Sequence, residues 1–242
     1  MGSSFEILAH GQSPLGLLCL RRRELLGSPG TIVTEITLNH EFLMSSFNTG
    51  SERALATVAI DMHGGDDLAV LVGGLGLGYT AQAALATQRV RHVEVVEFLP
   101  QVAQWLADGL LPLSSELTAD ARLAVALGDI YARLAKPPTS RYDVILIDVD
   151  HNPDERLEDY AADASRSDES GFFYTAAGLE LAKQHLQPGG VLAVWSSDEN
   201  SPFAETLRTT FTEVRIEPIE FDNVLIDEVS TDLLFFARDP VA

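Results

Sequence analysis

Residues Leu68–Gly78 read LAVLVGGLGLG, an apolar run followed at once by a turn rich in glycine. An uninterrupted apolar run of this length is typical of a strand that is buried on both faces of a parallel sheet. Glycines let the chain turn tightly and let a ligand approach the backbone. A helix pattern begins at Tyr79, and its first N–H groups have no partner inside the helix. The stretch therefore predicts a strand–turn–helix unit with a ligand at the carboxyl end of the strand.

Strand and helix patterns alternate from this stretch to the end of the chain. The further predicted strands are Val93–Glu97, Arg122–Leu127, Tyr142–Asp148, Val191–Trp195, Val214–Glu220 and Leu233–Ala237. The predicted helices are Glu52–Ile60 with Ser51 as its N-cap, Tyr79–Thr87, Leu99–Leu106, Phe172–Leu186 stopped by Gln187–Gly190, and Phe203–Thr210. This alternation predicts an α/β fold with a doubly wound, mostly parallel sheet of seven strands.

The first fifty residues have a different pattern. Two short apolar runs, Leu15–Leu20 and Thr31–Leu38, flank the turn signal Gly27–Gly30. Such a pattern predicts an antiparallel hairpin. We therefore expect a small N-terminal β unit over residues 1–50 and a ligand-binding domain over residues 51–242.

Composition and charge narrow the function classes. The chain has 242 residues, of which 46% are hydrophobic, and a formal net charge of −20. That charge repels phosphates, so a nucleic acid substrate is not expected. No apolar run is long enough to span a bilayer and no signal-peptide pattern opens the chain, so we expect no membrane partner. The single cysteine, Cys19, excludes an internal disulfide and favours a cytoplasmic location.

The spacing of the glycines separates two kinds of cofactor. A dinucleotide fingerprint G-x-G-x-x-G that starts at Gly74 and Gly76 needs a third glycine where Tyr79 stands. The shorter G-x-G-x-G pattern, completed by Gly78, resembles the motif of S-adenosylmethionine-dependent methyltransferases. The predicted cofactor-binding turn is therefore Gly73, Gly74, Gly76 and Gly78.

Acidic residues end the next three predicted strands. Glu97, followed by Phe98, could accept hydrogen bonds from two ribose hydroxyls, as carboxylates do at this position. Asp129, after Gly128, could reach an adenine amino group, and Asp148 ends the fourth strand. Each acid alone could be a helix cap or a solvated loop residue. Together, at successive strand ends, they predict a nucleoside cofactor.

These motifs resemble the spermidine synthase-like branch of the S-adenosylmethionine-dependent transferases. The residues that carry the resemblance are Val72–Gly78, Val96–Glu97, Leu127–Asp129, Tyr142–Asp148 and Leu186–Leu192. The resemblance implies a class I methyltransferase-like domain with a small N-terminal β domain, assembled as a homodimer. It also implies that Glu97 binds the ribose and that Asp129 lies beside the adenine.

The chain departs from that branch at three places. Spermidine synthases carry an acid at the place of Gly76, and a shorter D-S/T-S/T-D-P run where this chain has Asp148–Pro153. They also carry a glutamine and a Tyr-His pair near the N-terminus, whereas the corresponding stretches here are Phe42–Phe47 and Glu52–Leu55. These departures favour methyl transfer over polyamine synthesis.

The acids after the fourth strand are the candidate catalytic residues. Asp148 and Asp150 are two apart on a strand end, so both carboxylates could face one cleft and one could act as a base. Alternatively, Asp148 only positions the cofactor or acceptor and Asp150 caps the loop. The segment 149–170 is strongly acidic, which suits either a lid for a cationic acceptor or a solvated excursion. His151 and Asp154 could join them around a metal, but no second ligand cluster follows, so no metal is predicted.

The sequence thus predicts an S-adenosylmethionine-dependent transferase that methylates a small-molecule acceptor, with an amine as a candidate. The first alternative is an aminopropyltransferase that uses decarboxylated S-adenosylmethionine on an amine. The second alternative is a non-catalytic nucleoside-binding or scaffold protein, since a fold alone does not fix a function.

Overall fold

The computed structural model describes residues 5–25, 27–149, 153, 169–198, 200–223 and 228–241. The strands are β1 (Phe5–Ser13), β2 (Gly16–Glu24), β3 (Ile32–Leu38), β4 (Glu41–Ser45), β5 (Leu68–Gly73), β6 (Val90–Glu97), β7 (Leu123–Leu127), β8 (Tyr142–Ile147), β9 (Leu186–Ser196), β10 (Glu213–Asn223) and β11 (Glu228–Arg238). The helices are α1 (Gly50–His63), α2 (Tyr79–Leu85), α3 (Pro100–Ala107), α4 (Ser114–Ala119), α5 (Ile130–Leu134), α6 (Glu169–Phe173), α7 (Ala176–Lys183) and α8 (Ser201–Thr210). Within the described ranges, no helix has the length and apolar character needed to cross a bilayer.

Seven of the described strands form the large sheet, in the order β10-β11-β9-β8-β5-β6-β7. Strands β9, β8, β5, β6 and β7 run parallel, and β11 is antiparallel to both of its neighbours. The predicted doubly wound, mostly parallel α/β sheet is therefore confirmed. Its parallel strands place their carboxyl ends, and the predicted site residues that follow them, along one edge.

The central strand β5 separates two apolar layers. Val70 and Val72 pack into the core that contains residues of α1, α2 and α3, whereas Leu71 packs into the core that contains residues of α5, α7 and α8. All three side chains are fully buried. This burial on both faces is the physical reason for the continuous apolar run at the start of the glycine turn.

The N-terminal strands form a separate antiparallel sheet in the order β1-β2-β3-β4. The predicted hairpin corresponds to β2 and β3, but β1 and β4 were not predicted. Leu18 and Leu20 of β2 belong to the apolar cluster that contains residues of α1 and α3, so this small sheet packs against helices that cover the large sheet. β1 is half exposed and β4 is short, and neither alternates cleanly between apolar and polar residues.

Three local predictions were wrong. The single helix predicted over Phe172–Leu186 is two helices, because Thr175 interrupts it and caps α7 by accepting a hydrogen bond from the Gly178 N–H at 3.2 Å. The segment Gln187–Gly190 is the beginning of β9 rather than a helix stop. Ser51 is not the N-cap of α1, because the helix begins at Gly50, two residues before its predicted start, and Thr49 occupies the cap position.

Candidate functional site

The glycine turn has a backbone shape that requires glycine. Gly74, Gly76 and Gly78 have φ values of +91°, +53° and +94°, which L-residues rarely adopt. A Cβ atom on Gly74 would lie 2.2 Å from the carbonyl oxygen of Asp148, so the turn also packs closely against the end of β8. The predicted tight turn therefore has two causes, a left-handed backbone and a close approach between neighbouring strand ends.

Gly76 occupies the place where the resemblance leads one to expect an acid. A Cβ atom there would lie 3.0 Å from the sulfur of Met44, which β4 brings over the turn. A longer side chain at this position would have to displace Met44. The small N-terminal sheet therefore fills the space that an acid at residue 76 would need.

The turn opens into a cleft of about 680 Å³, counting its mouth, at the carboxyl edge of the large sheet. The structure brings most of the predicted cofactor residues together around it. Those that line the cleft are Gly74, Gly76, Glu97, Phe98, Gly128, Asp129 and Asp148. Gly73 is not part of the lining and Gly78 lines the neighbouring cavity instead, while Asp150 lies outside the described residues.

Glu97 is only 5% exposed and is held by backbone N–H groups. One carboxylate oxygen accepts from Leu75 at 2.8 Å and the other from Leu99 at 2.6 Å. Burial raises the pKa of Glu97 above its usual value, and these N–H groups oppose that shift. Glu97 therefore braces the glycine turn against the segment that leads into α3. The N–H groups of Gly76 and Phe98 also lie close enough to this carboxylate to lower its pKa.

Asp129 lies at the start of α5. Its Oδ1 accepts hydrogen bonds from the N–H groups of Tyr131 at 2.8 Å and Ala132 at 3.2 Å, which makes it the N-cap of that helix. It also lines the cleft. The cap explains its position, and its role beside an adenine stays a prediction.

A second cavity of about 1440 Å³, counting its open space, adjoins the cleft. The two share the side chains of Met44 and Asp148 and the turn at Gly76. Aromatic side chains form much of its wall, namely Phe42, Phe47, Tyr79, Trp195 and Phe221. Three acids also line it, Glu52, Asp148 and Asp232. We call these three residues the acidic triad.

Asp148 lies where the cleft and the cavity meet. Its backbone N–H donates to the Gly73 carbonyl at 3.0 Å, and its Oδ2 accepts from the buried hydroxyl of Thr80 at 2.5 Å. Burial raises the pKa of Asp148 to about 6; the Thr80 hydroxyl opposes the shift and the charge of Asp232 adds to it. A carboxylate with this pKa is ionised at neutral pH and can still take up a proton.

The other two acids meet through Ser51. The Ser51 hydroxyl lies 2.5 Å from Oδ2 of Asp232 and 3.3 Å from Oε2 of Glu52. Burial, followed by the charge of Asp148 and more weakly that of Asp232, raises the pKa of Glu52 to about 8. Burial also raises the pKa of Asp232. Among the described residues, the Trp195 indole N–H meets no acceptor in hydrogen-bonding geometry, but it is close enough to Asp232 to lower the pKa of that acid.

Glu52 and Asp232 were not predicted as site residues. Glu52 was predicted only as the first residue of a helix, in a stretch without the expected Tyr-His pair, and Asp232 directly precedes a predicted strand. The available signal was an acid at the entrance of a buried strand, which is unusual unless the acid has a partner. Within the described ranges, no three acid, histidine or cysteine side chains are placed to hold a metal ion.

No family model matches the chain. Among curated proteins, it is 35% identical over 133 residues to polyamine aminopropyltransferase 2 of Streptomyces coelicolor, covering 54% of this chain and 22% of that protein. It is 35% identical over 127 residues to the polyamine aminopropyltransferase of Prochlorococcus marinus, covering 52% of this chain and 40% of that protein. Polyamine aminopropyltransferase 2 of Pseudomonas aeruginosa is 30% identical over 156 residues, covering 60% and 40%. The matched regions thus span less than half the length of these relatives.

Two solved structures share the fold over almost the whole chain. A spermidine synthase in complex with the transition-state analogue AdoDATO superposes with a TM-score of 0.72 at 18% identity. Spermidine synthase from Thermotoga maritima superposes with a TM-score of 0.73 at 16% identity. Each match covers 98% of this chain and 74% of the other.

The prediction of methyl transfer was wrong. It depended on the glycine spacing and on the missing Tyr-His pair, but the curated relatives are named polyamine aminopropyltransferases. Glycine spacing reports how the turn packs, here under Met44, and does not identify the group that is transferred. In sequence and in fold, the chain resembles the spermidine synthase-like branch of the methyltransferase-fold transferases, as predicted.

Proposed function

We propose that this chain is an aminopropyltransferase that transfers the aminopropyl group of decarboxylated S-adenosylmethionine to a cationic amine. The observation that carries the proposal is the cavity lined by the acidic triad and by aromatic rings, which meets the nucleoside cleft at Asp148. The division near residue 50, a homodimer and a cytoplasmic location stay predictions that accompany it.

The cleft fits the nucleoside end of such a donor. Its floor is the backbone of the glycine turn, where the left-handed Gly74 and Gly76 leave no side chain in the way. Phe98 and Leu99 provide apolar wall, and the Glu97 carboxylate, which backbone N–H groups hold in place, lines the same cleft. Apolar walls with a few fixed polar groups are typical of small-molecule sites.

The neighbouring cavity fits a cation. Buried carboxylates are stable only when they are paired, protonated or bound to a positive ligand. In this cavity the charges of Asp148 and Asp232 raise the pKa of Glu52, and the charge of Asp232 raises that of Asp148. Tyrosine and tryptophan faces attract ammonium groups as well. A protonated amine would therefore replace mutual repulsion with ion pairs.

Asp148 is placed to serve both substrates. When bound, the donor supplies an aminopropyl group on a sulfonium carbon that is already activated. The acceptor amine must lose a proton before it can react, and Asp148 is the acid at the junction that is ionised at neutral pH. Thr80 holds its Oδ2, so the carboxylate keeps a fixed orientation toward the cavity. The protein thus aligns two reactants and holds one proton.

The direct test is to incubate the purified chain with decarboxylated S-adenosylmethionine and 1,4-diaminobutane and to detect an aminopropylated amine and methylthioadenosine by mass spectrometry. We expect both products in equal amounts, and neither from Asp148→Asn. A parallel reaction with S-adenosylmethionine should give no methylated amine.

Absence of both products over a series of α,ω-diamines of three to six carbons would overturn the proposal. Exposed Asp61 provides a matched control, because Asp61→Asn makes the same chemical change on the outer face of α1, away from both cavities. Equal loss of product in the two variants would show that the effect is not specific to Asp148.

A further inference from the structure

The two edges of the large sheet have opposite characters. Within the described residues, β10 and β7 are its edge strands. Strand β10 reads EVRIEPIEFDN, with charged residues along its length and a proline at its centre, whereas β7 reads LAVAL and has neither. Charges and proline are common means of preventing an edge strand from pairing with another chain. One edge of the sheet is therefore protected against such pairing and the other is open to it.

The backbone of β7 has hydrogen-bonding groups on the side away from β6. The Val93 N–H of β6 donates to the Arg122 carbonyl at 2.9 Å, and the Gly128 N–H donates to the last residue of β6 at 2.9 Å. Successive residues of a strand direct their N–H and C=O groups to alternate sides. The residues of even number between these two bonds therefore face β6, and Val125 and Leu127 direct their N–H and C=O groups to the open side.

Apolar side chains are exposed along the same edge. Leu123, Val125 and Leu127 share one face of the strand, and Leu123 packs against the core. Val125 is nevertheless 37% exposed and Leu127 61% exposed. An apolar edge strand in water is a ready template for a further strand.

We propose that this edge pairs with β7 of a second copy of the chain, antiparallel and centred on Val125. The stretch Leu123–Leu127 is a palindrome, so Val125 would meet Val125 of the second copy and Leu123 would meet Leu127. The resemblance to the spermidine synthase-like branch implied a homodimer but named no surface for it. The proposal does not depend on the proposed function.

The backbone groups fit this register. In an antiparallel pair, residues that face the partner exchange both of their hydrogen bonds, as the two copies of Val125 would do. The Leu123 N–H already donates to the Asp120 carbonyl at 3.1 Å, so its C=O is the group that would accept from Leu127 of the second copy. Apolar pairs directly opposite each other add to the stability of such a ladder.

The pairing also avoids the charge of the chain. Two copies with a net charge of −20 repel each other, so their contact must bring no like charges together. Strand β7 has no ionisable residue, and the charged groups beside it are held by their own chain. The Arg122 guanidinium contacts Asp120 at 2.7 Å and the Leu85 carbonyl at 2.5 Å, and Asp129 caps α5.

The expected dimer is closed and reversible. A palindromic strand favours an identical partner, and a two-fold axis through Val125 leaves no edge for a third copy. Five paired residues extend over only about 17 Å, so the contact is smaller than a standard interface of about 1,600 Å². We therefore expect a dissociation constant on the order of 10–100 µM. Antiparallel strands have their carboxyl ends at opposite ends, so both nucleoside clefts would remain open.

The first test is sedimentation velocity of the full chain at protein concentrations from about 1 to about 300 µM, a range that spans the expected dissociation constant. We expect the unaltered protein to change from monomer to dimer over this range. Val125→Lys places two ammonium groups side by side on the axis and should weaken the dimer at least tenfold. Val229→Lys makes the same change at an exposed residue of β11, away from β7, and should leave the dimer intact.

The second test is a disulfide across the axis. Cα atoms of a hydrogen-bonded antiparallel pair lie about 5.5 Å apart, which is within the range that a disulfide spans. In a Cys19→Ser background, Val125→Cys should therefore form a covalent dimer on mild oxidation. Val229→Cys, an equally exposed thiol or a more exposed one, should remain mostly monomeric under the same conditions.

A monomer at every concentration would overturn the proposal, as would a dimer that Val125→Lys leaves intact, because that dimer would use another surface. Amide hydrogen exchange of the unaltered protein needs no variant, so it stands even if Val125→Lys fails to fold. The amides of Val125 and Leu127 should exchange more slowly at high protein concentration, whereas those of Ala124 and Ala126, which face β6, should not change. Exchange at Val125 and Leu127 that is independent of concentration would reject the pairing. Product formation enters none of these measurements, so a failure of the proposed function would leave them unchanged.

Discussion

The cleft at the glycine turn and the cavity lined by the acidic triad use carboxylates in opposite ways. In the cleft, Glu97 and Asp129 are satisfied by backbone N–H groups that lie within a few residues in sequence or on the adjacent turn. In the cavity, Glu52 and Asp232 meet across 180 residues of sequence through one serine hydroxyl. The first arrangement fixes the shape of the turn, whereas the second leaves protons to be exchanged.

The difference follows from where the donors come from. Strand ends and helix starts expose N–H groups that have no partner in the helix, so an acid placed there is stabilised locally. The cavity acids lie between layers, where hydroxyls are the donors and neighbouring acids repel. N–H groups in fixed positions suit a part of the ligand whose charge does not change. A cluster of acids with raised pKa values suits a cationic part of the ligand.

The largest effect is expected where the two regions meet. Asp148→Asn removes the proton acceptor at the junction, and general base catalysis typically contributes 10²- to 10⁴-fold. We expect kcat to fall by about a thousandfold while methylthioadenosine binding, measured by calorimetry, changes little, because the cleft retains its other residues. A parallel loss of methylthioadenosine affinity would mean that Asp148 acts by binding the nucleoside rather than by taking up the proton. Asp61→Asn is the matched control.

Glu97→Gln should weaken ligand binding in the cleft and leave binding in the cavity almost unchanged. An amide in place of the carboxylate turns one of its oxygens into an NH₂ donor that would face a backbone N–H, at Leu75 or Leu99. Losing a charge-assisted acceptor costs about 1.5–3 kcal/mol, so we expect methylthioadenosine affinity to fall about 10- to 100-fold. Diamine affinity should stay within about twofold. Equal losses for both ligands would show that the regions are coupled through the glycine turn.

The sequence predicted the acids of the cleft but not Glu52 and Asp232 of the cavity, because only the acids of the cleft follow a local pattern. Glu97 and Asp129 sit at strand ends, so the strand–helix alternation and the glycine turn already place them at one edge of the sheet. Glu52 and Asp232 share no local pattern, since their meeting depends on α1 packing beside β11. The hairpin of the N-terminal sheet was predicted, but Met44 was not, because β4 has no clear alternation. That omission let the glycine at residue 76 be taken as a sign of methyl transfer.

Glu52 should make the free energy of unfolding depend on pH. Its pKa is about 8 in the folded chain against 4.5 for an ordinary glutamate. Between these values the folded state binds more protons than the unfolded state, so the free energy of unfolding should fall as pH rises from about 5 to 8. Glu52→Gln removes this contribution. We therefore expect the free energy of unfolding of the variant, relative to that of the unaltered protein, to be about 1–2 kcal/mol higher at pH 9 than at pH 5.

Urea unfolding of both proteins at pH 5, 7 and 9 measures this difference. The comparison between variants is needed because the net charge of −20 also weakens the folded state as pH rises. Glu205→Gln, the same change at an exposed helix position paired with Arg208, should follow the unaltered protein at every pH. Parallel curves for Glu52→Gln and the unaltered protein would show that Glu52 ionises normally, and the contrast between the two regions would then depend on Asp148 and Asp232 alone.

The smallest expected effect is a shift in the pH profile. Asp148 must be ionised to take a proton, so kcat at saturating amine should rise with pH through about 6, where its pKa lies. Burial is the main cause of that raised pKa, and the charge of Asp232 adds to it. Asp232→Asn removes the added charge, so the acidic limb should move toward lower pH by less than about one unit. Thr80→Val should move the limb the other way, because the Thr80 hydroxyl stabilises the ionised form. A limb that stays in place in both variants would assign the proton to a group other than Asp148.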